Sequence, residues 1–161
     1  MTGLPIYPHS AAYAREHDEL PVYRASYQAN VDCSKAIDAA IREHYSDNRL
    51  NSAAVKQVVD RFGFDRTLMV LAATARYKDR DPRISDDNKK WASTIFVPDD
   101  KDVRGVDRTT AYVVGYAHPG LVNLFMREAR RQAQQPSIHQ QLQQKLDTLA
   151  KKPSLRKEPA R

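Results

Sequence analysis

The sequence is poor in cysteine and glycine, and each shortage excludes a class of protein. Its single cysteine, Cys33, excludes an internal disulfide and fits a reducing, cytoplasmic compartment. The five glycines form neither a GxGxxG nor a GxxxxGK loop, so no phosphate-binding loop of a nucleotide enzyme is present. The five histidines are scattered, and no spacing matches a zinc module. We therefore predict neither a metal site nor a cofactor.

The sequence also lacks a hydrophobic run typical of a membrane span. The longest stretch without a charged residue, residues 109–126, is interrupted by His118, Pro119 and Gly120, and a span needs roughly 20 apolar residues. No basic segment followed by an apolar stretch opens the chain, so we expect no secretory signal and no membrane partner. A length of 161 residues with 41% hydrophobic and 29% charged residues is typical of one globular domain with an appendage.

The excess positive charge lies at the C-terminal end of the chain. Lys and Arg number 26 against 20 Asp and Glu, a net charge of +6. Residues 1–126 hold 17 of each kind, so the whole excess belongs to the last 35 residues. We expect attraction to nucleic acid or another polyanion to be mainly a property of this end.

Hydrophobic periodicity predicts a mainly α fold with a small β-hairpin and a helical, partly disordered C-terminal extension. Helices are expected over residues 10–18, 21–45, 51–63, 65–77, 85–91 and 119–135, and the apolar helix from Asp65 to Tyr77 is the expected centre of the core. The hairpin is expected from two β-branched and aromatic runs, residues 95–97 and 110–116. We predict a core domain of residues 1–131 and a Gln-rich, basic extension of residues 132–161.

The extension contains a narrow apolar stripe. A capping box formed by Ser137 and Gln140 predicts a further helix, whose apolar residues are Ile138, Leu142, Leu146 and Leu149. One helix with so narrow a stripe cannot bury it alone, so we expect it to pair with a second copy of the chain or to dock on a partner.

Three motifs have two interpretations each. Two helices joined by Gly63 resemble a helix-turn-helix, but the second is so apolar that a core helical hairpin is favoured. The cluster around Asp79 and Asp81 suits a cation site or paired carboxylates of an enzyme, although a turn pairing its acids with arginines is favoured. His118 suits an acid/base group, but a helix cap or surface residue is the commoner role.

Two groups of cations are candidate nucleic-acid or partner-binding residues, because clustered cations contact phosphates without reading sequence. The first lies in the charged turn and short helix, where an aromatic side chain accompanies the cations: Arg80, Arg83, Lys89, Lys90 and Trp91. The second lies towards the C-terminus: Arg127, Arg130, Arg131, Lys145, Lys151, Lys152, Arg156 and Lys157.

Several strings resemble an uncharacterised domain family, a domain of unknown function, from conjugative elements and plasmids of gut Clostridia and their relatives. These strings are Tyr23-Arg24-Ala25-Ser26 with Asn30 and Cys33, Phe62-Gly63-Phe64-Asp65-Arg66, Asp79, Asp81, Arg83-Ile84-Ser85, Asn88-Lys89, Trp91-Ala92 and His118-Pro119-Gly120-Leu121. The resemblance covers about residues 5 to 131 and brings no catalytic motif with it. It implies a setting among conjugation machinery, antirestriction functions and inhibitors of host nucleases.

The leading hypothesis is therefore a non-enzymatic mobile-element protein. We expect it to bind and interfere with a host defence nuclease complex, of CRISPR-effector or restriction type, or with its nucleic acid. A second hypothesis is an accessory DNA- or RNA-binding module of the conjugation machinery. A third is an uncharacterised enzyme that uses the Asp79 and Asp81 segment.

The charge distribution makes a first testable prediction. Removing residues 132–161 deletes six cations and two acids while sparing the predicted core helices. We expect nucleic-acid affinity to fall and the slope of log K against log salt to flatten by roughly 0.7 to 0.9 for each phosphate that the shortened chain no longer neutralises. Fluorescence anisotropy over a salt series measures both. An unchanged affinity and slope would show that the extension takes no part in binding.

Overall fold

The computed structural model describes residues 4–46, 49–50, 52–99, 101–102, 104–115, 117–134 and 145–146. Within these residues the α-helices are α1 (Ala11–Glu16), α2 (Leu20–His44), α3 (Ser52–Tyr77), α4 (Asp86–Ser93) and α5 (Pro119–Ala133), with a 3₁₀-helix, η1 (Thr109–Tyr112). The contacts divide the chain into two compact units, residues 1–130 and 131–161. The mainly helical character predicted from periodicity is confirmed.

Helix α2 confirms the long amphipathic helix predicted from the sequence. Its buried face carries Cys33, Ile37 and Ile41, all at most 1% exposed, and packs against α3. At the start of this helix the apolar side chain of Val22 is 51% exposed, whereas Tyr23 is buried. Residue 23 is three positions before Ser26, which is buried on the same face, so the helical period places the tyrosine inward.

Helix α3 is interrupted at Gly63, where the sequence predicts a helix end. Gly63 has φ of 84° and ψ of 157°, a positive-φ conformation that costs glycine little. The segment after it, residues 64–77, buries Met69, Val70 and Leu71 completely or nearly so. A DNA-reading helix would expose this face, so its burial supports the core role that the sequence favours for this segment and opposes DNA reading.

The predicted β-hairpin is wrong. Residues 95–99 form no regular strand, and η1 occupies part of the second run. The physical reason is that the backbone of these runs bonds to helix side chains instead of to a neighbouring strand. The N–H of Val114 donates to Thr74 Oγ1 at 3.0 Å, and just after the second run the N–H of Ala117 donates to Asp38 Oδ1 at 2.9 Å.

The first run is held in the same way by an arginine of α3. Arg76 donates from Nη2 to the carbonyl oxygen of Ile95 at 2.5 Å and to that of Ala92 at 3.1 Å. Tyr112 and Val114 of the second run are fully buried in the helical core. These runs therefore bond part of their backbone to α3 and bury Tyr112 and Val114 without forming a strand ladder, while Phe96 stays 61% exposed.

Strand pairing in the described part of the chain is limited to short elements. Strand β1 (Tyr45–Ser46) pairs antiparallel with β2 (Arg49–Leu50) in the connection between α2 and α3. A single antiparallel bridge joins Lys101 to Asp107.

A buried guanidinium joins three parts of the first unit. Arg66, 2% exposed, follows the break at Gly63. Its Nε donates to Asn30 Oδ1 at 2.8 Å and its Nη2 to Ser26 Oγ at 2.8 Å, both on α2. Its Nη1 donates to the carbonyl oxygen of Leu4 at 2.7 Å. The extended N-terminal segment is thereby fixed to α2 and α3.

The acceptors of this guanidinium are all neutral. Burial lowers the pKa of Arg66, because desolvation penalises its charged form. Hydrogen bonds to a second carbonyl, that of Pro5, and to Ser26 and Asn30 compensate for the lost water. Ser26 Oγ also accepts the N–H of Tyr7 at 2.9 Å, so the network includes the N-terminal segment that leads into α1.

The extension lies almost wholly outside the described residues. Of its predicted stripe, Ile138, Leu142 and Leu149 are not among them, whereas Leu146 is helical and 59% exposed. Among the helices described, none is long and apolar enough to cross a membrane.

The arginine network makes the second prediction. Replacing Arg66 with Met keeps much of the side-chain volume but leaves two side-chain acceptors and two carbonyls without their donor. We expect the free energy of unfolding to fall by about 3 kcal/mol, because several buried hydrogen bonds are broken together. Urea denaturation followed by circular dichroism measures the loss. The matched control is Arg42→Met, an exposed arginine of α2; an equal, small effect for both variants would contradict the proposed role of Arg66.

Candidate binding surface

The candidate surface begins at the N-terminus of α4, which the sequence predicts correctly. Ser85 caps the helix, because its Oγ accepts the N–H of Asn88 at 3.2 Å. The N–H of Ser85 donates to Asn123 Oδ1 of α5 at 2.9 Å. The same residue that starts α4 therefore also attaches it to α5.

A ladder of side-chain amides continues this attachment. Asn88, fully buried, donates from Nδ2 to Asn123 Oδ1 at 2.7 Å and to the Asn123 carbonyl at 3.3 Å. Its Oδ1 accepts from Arg130 Nη1 at 2.7 Å. We call Ser85, Asn88, Asn123 and Arg130 the α4–α5 ladder. The amides find partners on both helices, so the ladder fixes the two helices in one arrangement.

Arg130 is the last residue of this ladder and makes three kinds of contact. Its Nη1 lies 2.7 Å from Asp87 Oδ2, and its guanidinium carbon lies 5.3 Å from the centroid of the Trp91 ring. Its side chain is only 19% exposed, and Nε is buried without a hydrogen-bond partner among the described residues. The cation is thus placed by Asn88, Asp87 and Trp91 together.

The charged turn before α4 is a closed arginine–carboxylate pair. Asp81 Oδ1 accepts the N–H and the Nε of Arg83, both at 2.9 Å, and Oδ2 accepts Nη2 at 2.9 Å. The hydrogen bonds from the side chain and backbone of Arg83 lower the pKa of Asp81 to about 2. Asp81 is therefore ionised and occupied at neutral pH, which opposes a role as general acid.

His118 caps the start of α5. Its Nδ1 accepts the N–H of Gly120 at 3.0 Å. In the neutral ring Nε2 then carries the hydrogen, so its 3.4 Å approach to Arg83 Nη1 places two donors together rather than making a hydrogen bond. The interpretation of His118 as a cap is confirmed.

The predicted cations differ in exposure and in whether an acidic side chain holds them. In the part of the chain that the structure describes, Arg80, Lys90 and Arg127 are exposed and Lys89 is half-buried, and none of these four has an acidic partner. Arg83 and Arg130 instead hold Asp81 and Asp87. Arg131 and Lys145 are exposed in the second unit, and the remaining predicted cations, Lys151, Lys152, Arg156 and Lys157, lie outside the described residues.

The residues that could serve as a nucleophile or as metal ligands are also unsuited to those roles in the described part of the chain. Cys33 is fully buried, and burial raises the pKa of its thiol to about 12, so it behaves as a small core residue. Over the described residues no three His, Cys, Asp or Glu side chains come together as metal ligands.

Sequence reasoning missed the two residues that organise the polar contacts, Arg66 and Asn123. Arg66 carries a usable signal, because it is the one cation between Gly63 and Arg76 in a helix that is otherwise nearly apolar. Asn123 carries none, because an asparagine between Val122 and Leu124 gives no sign of its partner on α4.

Among the described residues we recognise no group of side chains arranged as in a known catalytic site. Residues 6–134 match the family described as a protein of unknown function, DUF3849. The chain belongs to this family, and the predicted membership in a domain family of unknown function is confirmed. Comparisons with curated proteins and with solved structures gave no match.

The closed Asp81–Arg83 pair makes the third prediction. Because the pKa of Asp81 lies near 2, below its usual 3.8, the pair contributes fully above about pH 4 and is lost as the pH falls through 2. Carboxyl-carbon NMR should give a titration midpoint for Asp81 near 2. In the Arg83→Ala variant the midpoint should rise towards 3.8. A midpoint that is the same in both proteins would show that Arg83 does not hold the carboxylate in solution.

Proposed function

We propose that this protein acts by binding and is not an enzyme, and that its α4–α5 surface contacts the phosphates of a nucleic acid, free or carried by a nuclease complex. The observation that carries the proposal is the α4–α5 ladder. It fixes two helices whose exposed cations, Lys90 and Arg127, have no acidic partner among the described residues. Charges on rigid elements lose little conformational entropy when they meet phosphate.

The paired groups of the surface support binding over catalysis. The carboxylate of Asp81 is held by Arg83, and His118 uses Nδ1 as a helix cap. A general acid or base must instead be placed to exchange a proton with a reacting group. Trp91 is half-buried, and its ring lies 5.3 Å from the guanidinium carbon of Arg130, close enough for a cation–π contact.

We infer the biological target from the family resemblance. Domains of this pattern in conjugative elements imply a host defence nuclease of CRISPR-effector or restriction type as the partner whose nucleic acid the surface meets. The second candidate, an accessory DNA- or RNA-binding module of the conjugation machinery, uses the same surface and the same phosphate chemistry. A pull-down from host lysate with and without nuclease treatment separates them: a partner nuclease retained after treatment supports the first, and loss of every partner supports the second.

The surface makes the fourth prediction. In the double variant Lys90→Ala with Arg127→Ala, affinity for a short duplex should fall, because two cations that neutralise phosphates are removed. The slope of log K against log salt should flatten by about 0.7 to 0.9 for each cation. Fluorescence anisotropy at several salt concentrations provides both values.

The matched control for this prediction removes the same charge from another helix. Lys35 and Arg42 are exposed cations of α2, so the double variant Lys35→Ala with Arg42→Ala has the same net charge as the test variant. We expect it to keep most of the affinity and slope. Equal losses in the two variants would show that net charge, and not the α4–α5 surface, governs binding.

A further inference from the structure

A second site lies away from α4 and α5, where α1 and the start of α2 meet the loop that contains Asp102. A cavity of about 350 Å³ opens there. This volume is at the small end of the range for small-molecule sites. The cavity is lined by Ala11, Arg15, Leu20, Tyr23, Arg24 and Asp102.

The apolar wall of this cavity is built into the fold. Ala11 and Tyr23 belong to a buried cluster with Tyr7 and Ala14, against which Leu20 packs. Tyr7 is held by its hydroxyl, which donates to Glu19 at 2.6 Å, and burial together with this bond raises the pKa of Tyr7 to about 12. The wall is therefore a fixed apolar surface that can bury the body of a ligand.

The charged part of the lining includes two arginines with donors to spare. Arg15 and Arg24 are exposed, and neither has a hydrogen-bonding or ionic partner for its guanidinium among the described residues. Asp102, which also lines the cavity, is already occupied. Its Oδ1 accepts the N–H groups of Arg104 and Val106 at 2.8 and 3.0 Å, and its Oδ2 accepts Arg108 Nη2 at 2.9 Å.

A larger cleft beside the Gly63 break offers no arginine whose donors are available to a ligand. That cleft, of about 600 Å³, also contains an arginine, Arg66. Its guanidinium, however, already donates to Leu4, Pro5, Ser26 and Asn30. Of these two sites, the smaller is the one with guanidinium donors to offer a ligand.

Two free guanidinium groups beside an apolar wall select a particular ligand chemistry. One guanidinium satisfies a carboxylate through a bidentate pair, whereas a phosphomonoester has three terminal oxygens and nearly two negative charges. We propose that the cavity binds a small phosphomonoester, with its phosphate between Arg15 and Arg24 and its organic body against Leu20 and Tyr23. The site does not rest on the proposed function, because it shares no residue with the α4–α5 surface.

Isothermal titration calorimetry on the full chain tests this site with AMP, adenosine and inorganic phosphate as probes. We expect saturable binding of AMP in the millimolar range or tighter, at least about tenfold tighter than adenosine, because only AMP supplies charge-assisted hydrogen bonds. Inorganic phosphate should compete with AMP. Absence of saturable AMP binding, equal affinity for AMP and adenosine, or failure of phosphate to compete would each overturn the proposal.

Single substitutions locate the site. Arg15→Ala and Arg24→Ala should each weaken AMP binding about tenfold or more and leave the thermal midpoint unchanged, because both side chains are exposed. Arg24→Lys, which keeps the charge but loses the planar fork, should weaken binding by less than Arg24→Ala. Arg42→Ala, which removes an exposed arginine from the far end of α2, is the matched control. If it weakens AMP binding as much as the two test variants, the arginine pair is not the binding site.

Discussion

The hydrogen bonds of Arg66 are the constraint on which the first unit depends. A guanidinium that is 2% exposed has left water, and it remains charged only if most of its donors find acceptors. Here the acceptors come from the N-terminal segment and from two residues of α2. If any one of these parts moves, the Arg66 guanidinium either becomes exposed or stays buried with a donor that has no acceptor. The break at Gly63 is part of the same constraint, because it starts the helix segment that carries Arg66.

The effect of this network reaches the outer helices. Ser26 accepts from both Arg66 and the N–H of Tyr7, so the guanidinium also sets where the N-terminal segment enters α1. Tyr7 in turn contributes to the apolar cluster behind the α1 cavity. The α4–α5 ladder uses the same principle with amides in place of a buried charge. In both places a polar network, rather than apolar packing alone, selects one arrangement of helices.

The helices could be predicted from the sequence because their signals are local. Apolar residues three and four apart gave α2 and α5, Ser10 and Ser85 gave two caps, and Gly63 gave the break in α3. The hairpin could not be judged in this way. The partner of the Val114 N–H is Thr74, 40 residues earlier, and a β-branched run carries no sign that a distant hydroxyl will replace a strand.

The candidate surface was predictable in composition but not in role. Cations can be counted in a sequence, but their roles depend on neighbours from other helices. Arg130 joins α5 to α4 because Asn88 and Asp87 lie beside one face of α5. Arg127 lies off that face and stays exposed. Arg66 is a single charge in a helix segment that is otherwise nearly apolar, so the segment indicates a buried core helix more strongly than a hydrogen-bond network. Its role depends on four acceptors that are 36 to 62 residues away, and no local pattern contains that information.

The central claim is that this protein acts by binding nucleic acid through α4 and α5. Backbone amide chemical shifts recorded while a short oligonucleotide is added to the full chain test it most directly. The account predicts that the described residues whose signals change cluster in α4 and in the part of α5 around Arg127, with little change along α2. Changes confined to α2 and the first part of α3, or no changes at saturating oligonucleotide, would contradict it.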